Sequence, residues 1–142
     1  MAPAPVRALH SRAFTLIELI AVIVVLAILA GVAIPKYFDY AQNAKASSVK
    51  GTLGGTRSAI ANFYGNSAVN GTAAYPTLTE MQTVGTVLQE PISPNPYNND
   101  ATIAAATYVA ASPPVAGTSG WNYDATSGKF WCNSATASAN TW

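Results

Sequence analysis

Few residues of this chain have side chains that could do chemistry, and their positions narrow what that chemistry is. One carboxylate, Glu18, sits near the start of an otherwise apolar run, "RAFTLIELIAVIVVLAILAGVAIP" from Arg12 to Pro35. Asp100 and Asp124, with Asn98, Asn99 and Asn122 close by in sequence, are the candidate oxygen ligands for a metal. Their spacing matches no EF-hand loop, and turn capping by Asn and Asp accounts for them better than a metal does. The single cysteine, Cys132, cannot close an intrachain disulfide and reads as a small buried hydrophobe or as a reactive thiol. The single histidine is His10, within the first thirteen residues. There is no Gly-rich phosphate loop after a strand pattern and no Cys/His metal spacing, and acids to pair are few. The usual general bases are therefore missing, and no enzymatic activity is expected. "NGT" at Asn70 fits a glycosylation sequon, yet Asn-Gly is also a strong turn signal.

The element that must position Glu18 is the apolar run itself. Leu19 to Ile34 carries no polar side chain, and Phe14 to Ile34 is interrupted only by Thr15 and Glu18. As a helix at 1.5 Å per residue this stretch covers about 32 Å, roughly a bilayer core. A carboxylate inside such a span is a liability unless paired, so Glu18 marks a function. Over the whole chain the composition is 50% hydrophobic and only 9% charged, with a formal net charge of +1. Near-neutrality, with no Lys/Arg cluster beyond Arg7 and Arg12, disfavours nucleic acid as a partner. The first thirteen residues, "MAPAPVRALHSRA", are short and basic and have no hydrophobic core, so they read as a leader. A secretory signal peptide would have a shorter apolar region and an A-x-A-like exit, which this run lacks. Basic residues just before the run would keep that end in the cytoplasm and send the remainder across the membrane.

The segment "RAFTLIELIAVIVVLAILAGVAIPKY", Arg12 to Tyr37, resembles the class III signal of type IV pilins and type II secretion pseudopilins: Phe14, Thr15, Leu16, Ile17 and Glu18 match in order and Pro35 recurs at the family's separation. Ala13 stands where the family usually has glycine. The resemblance implies cleavage between Ala13 and Phe14 by a prepilin peptidase, N-methylation of the new Phe14 amine, and assembly of the mature chain into a helical homopolymer. It implies as partners the peptidase/methyltransferase, an inner-membrane platform protein, an assembly ATPase, and membrane lipid before assembly. The location it implies is the bacterial inner membrane, in a single pass with a cytoplasmic N-terminus, and afterwards a periplasmic or extracellular filament. Glu18 gains a use in that setting, because cleavage creates an amine with which the carboxylate of a neighbouring subunit can pair. Such a pair sets register more than bulk stability.

Further along, Pro35 removes the backbone bond to Gly31 and disfavours helical geometry at Ile34, so Gly31 to Pro35 is a candidate kink or melting segment. Tyr37, Ala41, Ala44, Val49, Leu53, Ile60 and Phe63 then recur at helical spacing between Lys36, Asp39, Lys45, Lys50 and Arg57, which predicts an amphipathic helix ending near Tyr64 or Gly65. "YPTLTEMQTV" predicts a short helix with Thr77 or Thr79 as N-cap and Glu80 at capping-box spacing from Thr77. "ATYVAA", Ala106 to Ala111, reads as a strand. "GWNYDATSGKFWCN" reads as a hairpin turning at "DATSG", with Phe130 and Cys132 on one face and Trp131 on the other.

The fold expected is α+β: a long N-terminal α-helix, hydrophobic in its first half and amphipathic in its second, packed against a small antiparallel β-sheet head. The boundaries are a leader at 1–13, a membrane or filament-core helix at 14–35, an amphipathic helix at 36–65 and a head at 66–142. "TRSAIANFY", "NGTAAYP", "EPISPNPYNN" and "GWNYDATSG" resemble the corresponding parts of major pseudopilins, so the similarity spans most of the chain. No cysteine pair encloses a C-terminal loop as in many adhesive pilins, and no aspartate-rich calcium loop is present, so no cofactor is expected and calcium has no recognisable loop. The rivals are a minor pilin or tip adhesin and a membrane-anchored exported domain. Glu18 favours a repeating subunit, because the family's tip subunits often lack that glutamate.

Overall fold

The computed structural model describes residues 14–142. The leader, with Arg7, His10, Arg12 and the Ala13 side of the expected cut, lies outside the described residues. The chain divides into two compact units, 1–40 and 41–142. Helix α1, Leu16–Val69, contributes to both.

In the first unit every described residue is helical or immediately precedes the helix, and every one is exposed. The helix continues without interruption through Gly31 and Pro35. Of the two readings of that segment, a tolerated proline inside a helix is the one this conformation shows; it still lacks the bond that the proline N–H would have made.

In the second unit, α1 buries one face. Val49, Leu53, Thr56 and Ile60 are buried at spacings of four, three and four, which is the helical period. Phe63 and Ala41 are half-buried, whereas Ala44 is exposed. Burial of each large aliphatic side chain contributes about 1.5–3 kcal/mol. The helix runs to Val69, past the expected end at Tyr64 or Gly65. Its terminator is Gly71, whose φ of 88° is left-handed. The Gly71 N–H donates to Ala68 O at 3.1 Å and the Thr72 N–H to Ser67 O at 3.1 Å, a Schellman closure that satisfies two of the last carbonyls. Gly65 costs some helicity but supplies no such closure.

Helix α2, Leu78–Gln82, begins as predicted at Thr77: Glu80 N–H donates to Thr77 Oγ1 at 3.3 Å, and Glu80 Oε2 accepts from Thr77 N–H at 2.7 Å. Strands β1 (Ile103–Ala105), β2 (Trp121–Asp124) and β3 (Lys129–Cys132) form one sheet in the order β1-β2-β3. The hairpin β2–β3 is antiparallel as read from sequence, with Tyr123 opposite Phe130 and Trp121 opposite Cys132.

Two expectations are corrected. The strand read at Ala106–Ala111 lies upstream at Ile103–Ala105, because Ile103 is the residue of that alanine-rich stretch that enters the core, and Asp124 Oδ2 takes the Tyr108 N–H at 3.1 Å just past the strand. β1 also pairs parallel to β2, so the sheet is mixed. Parallel neighbours need a long return connection, and residues 106–120 supply it.

Trp121 stacks on Phe130 with ring centroids 5.6 Å apart, in the core shared by Leu53, Ile60, Met81 and Ile103. On the opposite face Trp131 is fully buried, meets Tyr108 edge-on at 5.4 Å, and donates from Nε1 to Pro114 O at 2.9 Å. Both faces of the hairpin are therefore covered. The 3-10 turn Thr136–Thr141 closes the described chain and buries Ala139.

Candidate assembly site

The Glu18 carboxylate is positioned by the first turn of its own helix. Thr15 is the residue before α1, and Glu18 is three residues on. Glu18 Oε2 accepts from the Thr15 N–H at 2.9 Å and from Thr15 Oγ1 at 2.7 Å, while Glu18 N–H donates to Thr15 Oγ1 at 3.3 Å. This is the reciprocal arrangement seen again at Thr77 and Glu80, and it satisfies donors that an α-helix start leaves without partners. The same Thr-x-x-Glu spacing occurs in "TLTE", where it predicts the cap, and in "TLIE", where the apolar run around it hides the signal. A carboxylate at a helix N-terminus is also favoured by the helix dipole. Both Thr15 donors use Oε2, so Oε1 can take a further donor.

Around this polar start the helix is apolar on every side. Leu16, Ile17, Leu19, Ile23, Leu26, Leu29 and Val32 are all exposed, an apolar surface that in water calls for lipid or a partner. The helix is long and apolar enough to cross a membrane. Tyr37, Phe38 and Tyr40 follow the apolar stretch within the same helix, also exposed, with Tyr37 and Phe38 edge to face at 6.3 Å. Aromatics at such a boundary suit an interfacial belt or contact between subunits.

The other sequence candidates lie in the second unit and have local partners. Asp100 Oδ1 accepts from the Thr102 N–H at 2.6 Å and its hydroxyl at 2.5 Å, bonds that hold the carboxyl below its usual range. Asp124 is raised by partial burial, but the N–H groups of Tyr108 and Thr126 and the hydroxyl of Ser127 outweigh this and hold it low. Both act as turn caps, and among the described residues no three His, Cys, Asp or Glu side chains come together as a metal site. Cys132 is fully buried, and burial pushes its thiol up to about 11, so of its two readings the buried hydrophobe is the one its surroundings support. Asn70 helps end α1, its amide donating to Asn66 O at 2.9 Å.

Arg57 was read only as a polar position of the amphipathic helix. Its Nε donates to Phe130 O on β3 at 3.0 Å, and a second nitrogen donates to Trp142 O, so it ties α1 to the outer strand of the sheet.

Comparison with known proteins gives two likenesses. The profile of the prokaryotic N-terminal methylation motif matches residues 9–34, the stretch containing Phe14, Thr15 and Glu18. Fimbrial protein EcpC of Eikenella corrodens is 38% identical over 58 residues, which is 41% of this chain and 38% of that protein. Over these stretches the chain is similar to type IV pilin-type proteins. The match thus spans well under half of the fimbrial relative's length. No solved structure matches this chain. Its α+β architecture, a long N-terminal helix with a small sheet, is the one expected of the family.

Proposed function

We propose that this pilin-like chain is the repeating subunit of a type IV pilus-like filament or a type II secretion pseudopilus. The observation that carries the reading is a single carboxylate held in the first turn of a helix whose first twenty residues, 16–35, are otherwise apolar and exposed. In this proposal a prepilin peptidase cuts between Ala13 and Phe14 and the new Phe14 amine is methylated. The 14–35 segment resides in the inner membrane, in a single pass with a cytoplasmic N-terminus, until a platform protein and an assembly ATPase move it into the filament. The Phe14 amine of one subunit then pairs with Glu18 of another, at the carboxylate oxygen that Thr15 leaves open. That pairing neutralises two charges in an apolar core and fixes stagger, and like any buried ion pair it specifies register more than it adds stability. Gly31 to Pro35, already short of one backbone bond, is where the helix melts as the filament forms. No cofactor is needed in this reading.

Intact-mass measurement of the protein from its native membrane tests the processing step: loss of thirteen residues with one methyl group on Phe14 is the expected result, and an uncut chain overturns it. Glu18→Gln tests the pairing, since glutamine retains an acceptor for Thr15 and loses the charge. Normal cleavage with greatly reduced filament yield is expected. Wild-type yield would show that Glu18 serves its own helix cap alone.

A further inference from the structure

The connection between β1 and β2 is fastened around one amide group. Asn133 follows β3 and is 4% exposed. Its Nδ2 donates to Ala116 O at 2.8 Å, Ser119 O at 2.7 Å and Ser119 Oγ at 3.0 Å, while its Oδ1 accepts from the Ala116 N–H at 3.0 Å and from Asn122 Nδ2 at 3.0 Å. The orientation of the amide is fixed chemically: the Ala116 N–H can face only an oxygen, and the Ser119 carbonyl can face only a donor. Trp131, Asn122 and Asn140 hold the same loop at Pro113 and Pro114.

Two carbonyls and a hydroxyl converging on one buried point is the oxygen arrangement that otherwise surrounds a hard cation. Here the point is occupied by nitrogen, at hydrogen-bond distances and with no carboxylate among its partners. A calcium ion, needing six to eight oxygens with carboxylates among them, does not fit this loop as it stands. Asp100 and Asp124, the acids read as candidate ligands, are each occupied in a turn of their own.

We propose that the Asn133 amide nitrogen occupies the place of a cation in this loop, so that the head keeps its shape without any divalent metal, and that Asn133→Asp turns the loop into a calcium-dependent one. The substitution replaces the central donor by an anionic oxygen facing three other oxygens. Without a cation these groups repel and the loop loses its fastening; with one, the carboxylate, both carbonyls and the hydroxyl become ligands, completed by water.

The test is thermal unfolding of the full chain in detergent micelles, followed by near-ultraviolet circular dichroism, in which Trp131 reports on the loop it bonds. Each protein is melted in a chelator and in calcium at about 1 mM, the range in which extracellular calcium modules bind. The wild type should melt at the same temperature in both. Asn133→Asp should melt about 10 °C lower in the chelator, the shift expected for a small domain losing two buried hydrogen bonds, and recover most of it in calcium. A wild-type midpoint that falls by several degrees in the chelator overturns the proposal. So does an Asn133→Asp protein that melts like wild type in the chelator, or one that calcium does not restore, whether folded or not.

Discussion

Leu53 and Gly54 are adjacent in α1, yet alanine at each should move stability in opposite directions. Leu53 is 2% exposed and belongs to the core with Val49, Ile60, Met81 and Trp121. Leu53→Ala removes three carbons; at about 0.8 kcal/mol each the lost transfer energy is about 2.4 kcal/mol. A cavity left under the sheet brings the total into the range of about 2–5 kcal/mol. Gly54 faces solvent, and a Cβ built on it meets nothing within 4 Å. Gly54→Ala should therefore stabilise by about 0.5–1 kcal/mol, the helix-propensity difference alone. For a head of this size each kcal/mol shifts the midpoint by about 4–8 °C. Melting of the unassembled subunit in detergent should thus show Leu53→Ala at least 8 °C below wild type, about 2 kcal/mol at the low end of that slope, and Gly54→Ala a few degrees above it. If Leu53→Ala costs under about 1 kcal/mol, the assigned helix face is not the packed one. A loss at Gly54→Ala would place a neighbour where the structure has none.

Gly120→Ala should prevent folding or cost more than about 4 kcal/mol, read as loss of soluble protein and of near-ultraviolet signal, because its Cβ would lie 1.8 Å from Asp100 O. Cys132 should stay unmodified by maleimide at pH 8 in the native chain and react once denatured, since burial both shields it and raises its thiol to about 11. Stability should hold across a plateau bounded on both sides. Hydrogen bonds from Thr77 hold Glu80 low and those from Thr102 hold Asp100 low, while Asp124 stays low against its partial burial, so their contribution is present above the unfolded carboxyl range and is lost as pH falls below about 4. Burial raises Tyr123 to about 12 from 10.0 and Cys132 to about 11 from 9.0, so the unfolded chain ionises first and stability declines as pH rises beyond 9.0. Melts from acid to alkaline pH check both edges.

What could be read in the sequence depended on whether a residue's job is visible at short range. The β2–β3 hairpin was legible strand by strand, because Trp121 and Tyr123, then Phe130 and Cys132, alternate about a turn closed by Gly128, whose φ is 67°. Glu18 stands out in the sequence because a lone carboxylate in an apolar span has few explanations. β1 was not legible: in "ATIAAATYVAA" alanine carries almost no preference, and the deciding partner, Trp121, lies beyond a long loop. The polar side of the core was not legible either. Asn95, Asn122 and Asn133 look like turn residues, and Asn95 does bond the Tyr97 N–H locally. Its amide also reaches Gly120 O at 2.8 Å across the fold, a distance in space that no sequence spacing encodes.

Arg57 has a counterpart at the opposite border of the sheet. Gln82 on α2 donates from Nε2 to Ile103 O on β1 at 2.9 Å, just as Arg57 donates to Phe130 O on β3. An unpaired strand border is a template on which another chain can add, the usual route to amyloid-like clumping. With a side-chain plug on each border, heads crowded at high density cannot readily zip together strand to strand. In the proposed filament, self-association would thereby be restricted to one geometry, through helices, with growth that stays reversible where cross-β growth would not.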